Sequence, residues 1–172
     1  MQIEGDQSQS IISVHETADR PDLKIILRGV GNTLTIEQGA RVYGSVFLAD
    51  GASVTIGANV KCTGPLVFHC HEAGSVTIGA GCLFSQSVQF RPSDAHKIFD
   101  LTTNTRINAP VPIRIGASVW VGQEVLFLKG ANVPAGCIVG ARSLVNKSFD
   151  EENCILAGVP AKIVRRQVRW AP

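Results

Sequence analysis

The sequence predicts an all-β solenoid, a stack of coils built from short parallel strands, and three observations predict it. Seventeen glycines and eight prolines in 172 residues interrupt the chain too often for a helical bundle. Hydrophobic residues reach 45% while aromatic ones make up only 6%, so the core is narrow and aliphatic. A large apolar residue also recurs at every sixth position, without a break, through Ile115, Val121, Phe127, Val133, Val139 and Val145. Two places before each of the last five stands a small or aliphatic residue, namely Val119, Val125, Ala131, Cys137 and Ser143. Neither the helix period of about 3.6 nor the strand period of 2 produces that pattern.

From the N-terminus, residues 1–29 show no counterpart of the repeat. The first ten, MQIEGDQSQS, carry two acids and no basic residue, unlike a secretory leader, and the expected location is the cytoplasm. No apolar run approaches the roughly 18 residues of a membrane span. The repeat phase begins at Ile36 and Val42, resumes at Ile56, Cys62 and Phe68, and again at Ile78, Phe84 and Phe90. Three six-residue faces close a coil of 18, and the wider spacing of the similar segments Thr35-Ile36, Thr55-Ile56-Gly57 and Thr77-Ile78-Gly79 places small loops at one corner. Glycine follows the large apolar residue at Gly57, Gly79, Gly116, Gly122 and Gly140, where a corner is expected to require positive φ. Coils stacked at roughly 4.8 Å pair each strand with the one above.

The pattern stops for the 22 residues of 91–112, RPSDAHKIFDLTTNTRINAPVP, and a loop of that length in a compact domain is usually functional. Its Ile98, Phe99, Leu101 and Ile107 are expected to pack on something. The regular repeat then runs to residue 148. In the cap, 149–172, the stretch AKIVRRQVRW reads as a short amphipathic helix or tail, with Trp170 closing the packing at that end. The whole, 1–172, is expected to be one domain with its solenoid at 30–148. The five cysteines form no CxxC pair and read mostly as small core residues. A formal net charge of +2 and no aromatic interleaving among the basic residues give no reason to expect a nucleic-acid partner.

The repeat resembles that of the hexapeptide-repeat acyltransferases, whose units build a left-handed parallel β-helix; the handedness comes from the resemblance alone. Within the long loop, Ser93-Asp94-Ala95-His96 is followed 24 residues later by Trp120 in Ser118-Val119-Trp120-Val121-Gly122. That pattern, extended by Ala157-Gly158-Val159-Pro160-Ala161-Lys162, is similar to the sugar and polysaccharide O-acetyltransferases. The resemblance implies transfer of an acetyl group from acetyl-CoA to a saccharide hydroxyl, of capsule or lipopolysaccharide type. His96 would be the general base, a task suited to an imidazole with an unperturbed pKa of about 6.5. Asp94 is expected to orient it, and Trp120 to wall the acceptor and thioester site. Gln123, Ala141, Asn146, Lys147, Lys162 and Arg165 match positions that hold acetyl-CoA, although Asn146 stands where related enzymes usually have threonine. The family further implies a homotrimer with sites between subunits and no metal. Two other classes fit the scaffold: a zinc-dependent carbonic anhydrase, for which His69 and His71 lie two apart, and a non-catalytic interaction solenoid.

Overall fold

The computed structural model describes residues 1–5 and 9–171. They form a left-handed parallel β-helix of triangular section, whose three faces are sheets of parallel strands apart from one antiparallel strand at the end of the third. Strands Gln2–Glu4, Leu23–Arg28, Gly44–Ala49, Leu66–Cys70, Val88–Arg91, Leu126–Leu128 and Leu144–Val145 make the first face. The second consists of Ile11–Val14, Thr33–Ile36, Ser53–Ile56, Ser75–Ile78, Ile113–Ile115 and Asn132–Val133. The third runs Lys61–Cys62, Leu83–Phe84, Trp120–Val121, Ile138–Val139, Ile155–Gly158 and Ala161–Arg165. The described residues contain no helix long and apolar enough to cross a membrane.

Each sixth-position residue points inward and lies against its equivalent one coil away. Phe68 pairs with Phe90 and Phe90 with Phe127, with ring centroids 4.6 and 5.1 Å apart and planes within 6° and 11° of parallel. Ile36, Ile56, Ile78, Ile115 and Val133 form the matching column of the second face. Cys62, Phe84, Val121, Val139 and Leu156 form that of the third. These side chains are almost wholly buried, so every coil contributes one apolar layer, and the hydrophobic transfer of each, about 1.5–3 kcal/mol, is spread evenly along the axis. All five cysteines are free and buried; burial pushes the Cys70 thiol up to about 12 and Cys82 up to about 11.

Three sequence expectations change. The stack extends upstream of residue 30, because Gln2–Glu4, Ile11–Val14 and Leu23–Arg28 pair in register with the coils although they lack the sixfold pattern. The cap is not helical: Ile155–Gly158 and Ala161–Arg165 form an antiparallel hairpin. The glycines after the large apolar residues do not have positive φ, which falls instead two residues later at Asn59, Gly81 and Ser118. Glycine is required at 57, 79 and 116 for space, since a Cβ on Gly116 would stand 2.5 Å from the amide nitrogen of Ala135 in the next coil.

Candidate active site

The loop 91–112 leaves the corner between the first and second faces, and a dense set of hydrogen bonds fixes its backbone. Ser93 is buried and its hydroxyl accepts the Ala95 N–H at 3.0 Å, supporting the left-handed Ala95 (φ 61°). The His96 N–H then donates to the Asp94 carbonyl at 2.7 Å. Further on, 98–107 folds into a small hairpin, with the Ile107 N–H on the Ile98 carbonyl. Its tip is held by Asp100, whose carboxylate accepts the N–H groups of Thr102 and Thr103.

Asn108 ties this loop together. It is only 4% exposed, and its side-chain amide donates to the His96 carbonyl at 2.7 Å and to the Asp94 carboxylate at 2.9 Å. Its oxygen accepts the Ile98 N–H at 2.7 Å and Arg106 Nε at 3.3 Å. Arg106 in turn reaches Glu72 of the preceding coil at 2.7 Å. Every capacity of the Asn108 side chain is used, which is how a buried amide avoids a desolvation cost. Lys129, from the following coil, donates to the same Asp94 carboxylate oxygen as Asn108. Those two bonds, that of Lys129 first, hold the Asp94 carboxyl below the usual range.

The imidazole of His96 is exposed and has no hydrogen-bond partner among the described residues. Asp94 therefore stabilises the turn before His96 while its carboxylate is engaged by Lys129 and Asn108. Trp120 lies on the third face, 39% exposed, across the triangular section from the corner that carries His96. Its neighbour is Trp170: the ring centroids are 6.3 Å apart, and Trp170 Nε1 donates to the Ser118 carbonyl at 2.7 Å. Trp170 thus folds back beside Trp120 instead of closing the end of the stack.

Gln123 and Ala141 meet at the corner between the third and first faces, where the Arg142 N–H donates to the Gln123 carbonyl at 2.8 Å. Lys162 joins them, because it pairs with Ala157, whose methyl group covers Gly140. The remaining residues stand elsewhere. Asn146 and Lys147 follow the last strand of the first face, at its far end, with the Lys147 ammonium 5.2 Å from the Phe149 ring. Arg165 pairs with Ile155 at the opposite end of the hairpin from Lys162. Sequence reading missed the Asn108 and Lys129 contacts and the position of Trp170. Asn108 had one visible signal, its place at the end of the interrupting loop; Lys129 had none, being 35 residues from Asp94.

The crystal structure of the polysialic acid specific acetyltransferase NeuO shares this fold with a TM-score of 0.88 at 32% identity, over 99% of this chain and 72% of that one. The chain belongs to the hexapeptide-repeat acyltransferases, in their polysaccharide O-acetyltransferase branch. A second member, the polysialic acid O-acetyltransferase OatWY, gives a TM-score of 0.85 at 29% identity, over 100% and 92% of the two chains. Among curated relatives, the polysialic acid O-acetyltransferase of Escherichia coli O1:K1 / APEC is 33% identical over 136 residues, 79% of this chain and 44% of its own. That of Neisseria meningitidis is 39% identical over 99 residues, 58% of this chain and 46% of its own. The chain spans about half the length of the curated relatives it matches. No family model matches it.

Proposed function

We propose that this single acyltransferase domain moves an acetyl group from acetyl-CoA to a hydroxyl of a capsule or lipopolysaccharide-type polysaccharide, with His96 as general base. The observation that carries the reading is an accessible, unpartnered imidazole on a backbone clamped by Asn108. The base is thereby presented to solvent while its main chain stays fixed. His96 takes the hydroxyl proton as the sugar oxygen attacks the thioester carbonyl, and the C–S bond then breaks. The departing thiolate recovers the proton from the imidazolium, leaving an O-acetyl sugar and CoA.

The acetyl-CoA arm is assigned to the third-to-first corner, where Gly122, Ala141, Gly140 and Ala157 leave a shallow backbone surface beside Gln123 and Lys162. Lys162 there answers phosphate charge. Asn146 and Lys147 follow the last strand of the first face and Arg165 stands at the other end of the hairpin from Lys162, and they complete the groove at a subunit boundary.

The same geometry supports a homotrimer. His96 and Trp120 lie on opposite sides of one prism, so Trp120 walls the site of a neighbouring chain's His96. Ile98, Phe99, Leu101 and Ile107 of the loop are exposed, Ile98 and Phe99 by half and Leu101 completely. Outward on the third face, Leu83, Trp120, Ile138 and Ile155 stand in register as an apolar column. The second face instead shows solvent Thr35, Thr55, Thr77 and Arg114. Covering the loop tip with the third face of the next chain removes both apolar surfaces from water.

The test is acetyl transfer to a panel of bacterial polysaccharides, followed by product mass and CoA release. His96→Ala is expected to abolish transfer while acetyl-CoA binding is retained. Undiminished transfer by that variant would remove His96 from the mechanism, and zinc-dependent hydration of carbon dioxide without CoA affinity would replace the whole reading.

A further inference from the structure

Beside the His96 loop, on the outer side of the first face, lies a cavity of about 240 Å³ lined by His69, His71, Arg91, Ser93, Asp94 and Ala95. Strand register builds it. Phe47 pairs with His69, and Arg91 occupies the equivalent place one coil on, immediately after the Phe90–Phe68 pair. The Phe47 ring flanks the imidazoles, 4.7 Å from that of His71 and 6.4 Å from that of His69.

The charges around this cavity do not balance. Arg91, His69 and His71 face it, while the one carboxylate in its wall, Asp94, is already held by Lys129 and Asn108. Arg91 bonds only to the Gln89 side-chain oxygen, at 3.3 Å, and has no carboxylate partner among the described residues. The effect on His69 is visible: burial, then the positive Arg91 and then His71, hold its pKa below the ordinary histidine value. Nearby Glu72 is paired with Arg106 and supplies no counter-charge. The Arg91 guanidinium, always charged and without an internal anion, is completed by an external one, and the imidazoles beside it add hydrogen-bonding groups.

We propose that this cavity is a subsite for the carboxylate of an acidic saccharide, with Arg91 gripping the carboxylate and the His71 ring, backed by Phe47, lying against the sugar. The subsite rests on the saccharide-acceptor reading, and it places one acidic residue of the acceptor next to Ala95, one residue from the base. A planar guanidinium matches a carboxylate with two parallel hydrogen bonds, and an aromatic face suits the C–H side of a pyranose. Since Arg91 is exposed on a strand end, its removal leaves the stack intact.

The experiment measures binding to the full chain, without acetyl-CoA, of a sialic acid oligomer and a galacturonic acid oligomer, each beside its carboxyl-reduced counterpart. At least one acidic oligomer is expected to bind about tenfold or more tighter than its reduced form, and Arg91→Ala is expected to erase that preference. Arg91→Lys, which keeps the charge and loses the fork, is expected to retain only part of it. Affinity for acetyl-CoA and for the reduced oligomers is expected to stay unchanged in both variants. Equal binding of acidic and reduced oligomers by the unaltered protein, no binding of either acid, or an equal loss on both forms in Arg91→Ala overturns the subsite. The unaltered protein separates the two readings: an Arg91-dependent acid preference in a protein that transfers acetyl to none of the acceptors keeps the subsite and sinks the proposed reaction.

Discussion

Two corners of the same prism behave in opposite ways. Between the second and third faces five consecutive coils take six residues from one inward side chain to the next, as from Ile56 to Cys62, Ile78 to Phe84 and Ile115 to Val121. A left-handed residue stands at the same place each time, at Gly39, Asn59, Gly81, Ser118 and Gly136. Between the first and second faces the same step takes ten residues from Phe68 to Ile78, 25 from Phe90 to Ile115 and six from Phe127 to Val133. Parallel stacking is kept by the strands on either side of a corner, so a solenoid tolerates insertions wherever the extra chain can leave sideways. Here they gather at one corner, and that corner carries His69, His71 and His96. The fixed corner supports the stack, and the variable one carries the residue to which the proposed base role is assigned.

The sharpest challenge to this contrast is Gly116→Val at the fixed corner. With the Ala135 amide 2.5 Å from where the Cβ would sit, the next coil must shift, and urea unfolding is expected to show a loss of about 3 kcal/mol. A change below about 0.5 kcal/mol would show the fixed corner to be as tolerant as the other.

At the variable corner the expected effect on stability is smaller and that on function larger. Asn108→Ala leaves the His96 carbonyl, the Asp94 carboxylate and the Ile98 N–H without their shared partner. It is expected to cost about 1–3 kcal/mol. Turnover is expected to fall by about tenfold or more with the KM for acetyl-CoA unchanged, since the base and not the coenzyme corner is disturbed. Unaltered kcat would show that the loop is set by its flanking strands alone.

The smallest effect belongs to the link between Asp94 and the following coil. The Asp94 carboxyl is depressed in the folded chain, so its contribution is present above the unfolded value of about 3.9 and is lost as pH falls through the lower folded value. Asp94→Asn is expected to cost less than about 1 kcal/mol at pH 7, because 40% of the side chain is exposed. Stability curves of the variant and the unaltered protein are expected to converge below the folded value. A difference that persists unchanged into strong acid would mean that the ion pair is not its source.

Much of the fold was legible because each inward residue stacks on the residue one coil later, and a column such as Ile78, Ile115 and Val133 therefore leaves a repeat in the chain. The upstream strands were not, since Leu23–Arg28 holds its place by pairing with Gly44–Ala49 and needs no sixfold pattern to do so. The glycine row was visible, but its cause was not. Gly57, Gly79 and Gly116 are excluded from carrying a side chain by the backbone of the following coil, a contact that no local conformational rule contains.

The sequence by itself determined the solenoid and its interruption at 91–112, because periodicity is a property of the chain, while His96 stood out only through the resemblance of its motif to a known family. The tertiary structure decided that Asn108 and Lys129 hold Asp94, that Trp170 returns to Trp120, and that His96 and Trp120 face opposite ways. In a stack of coils the nearest neighbour is one coil away, and coils of unequal length move that neighbour by an amount that only the register of the strands fixes.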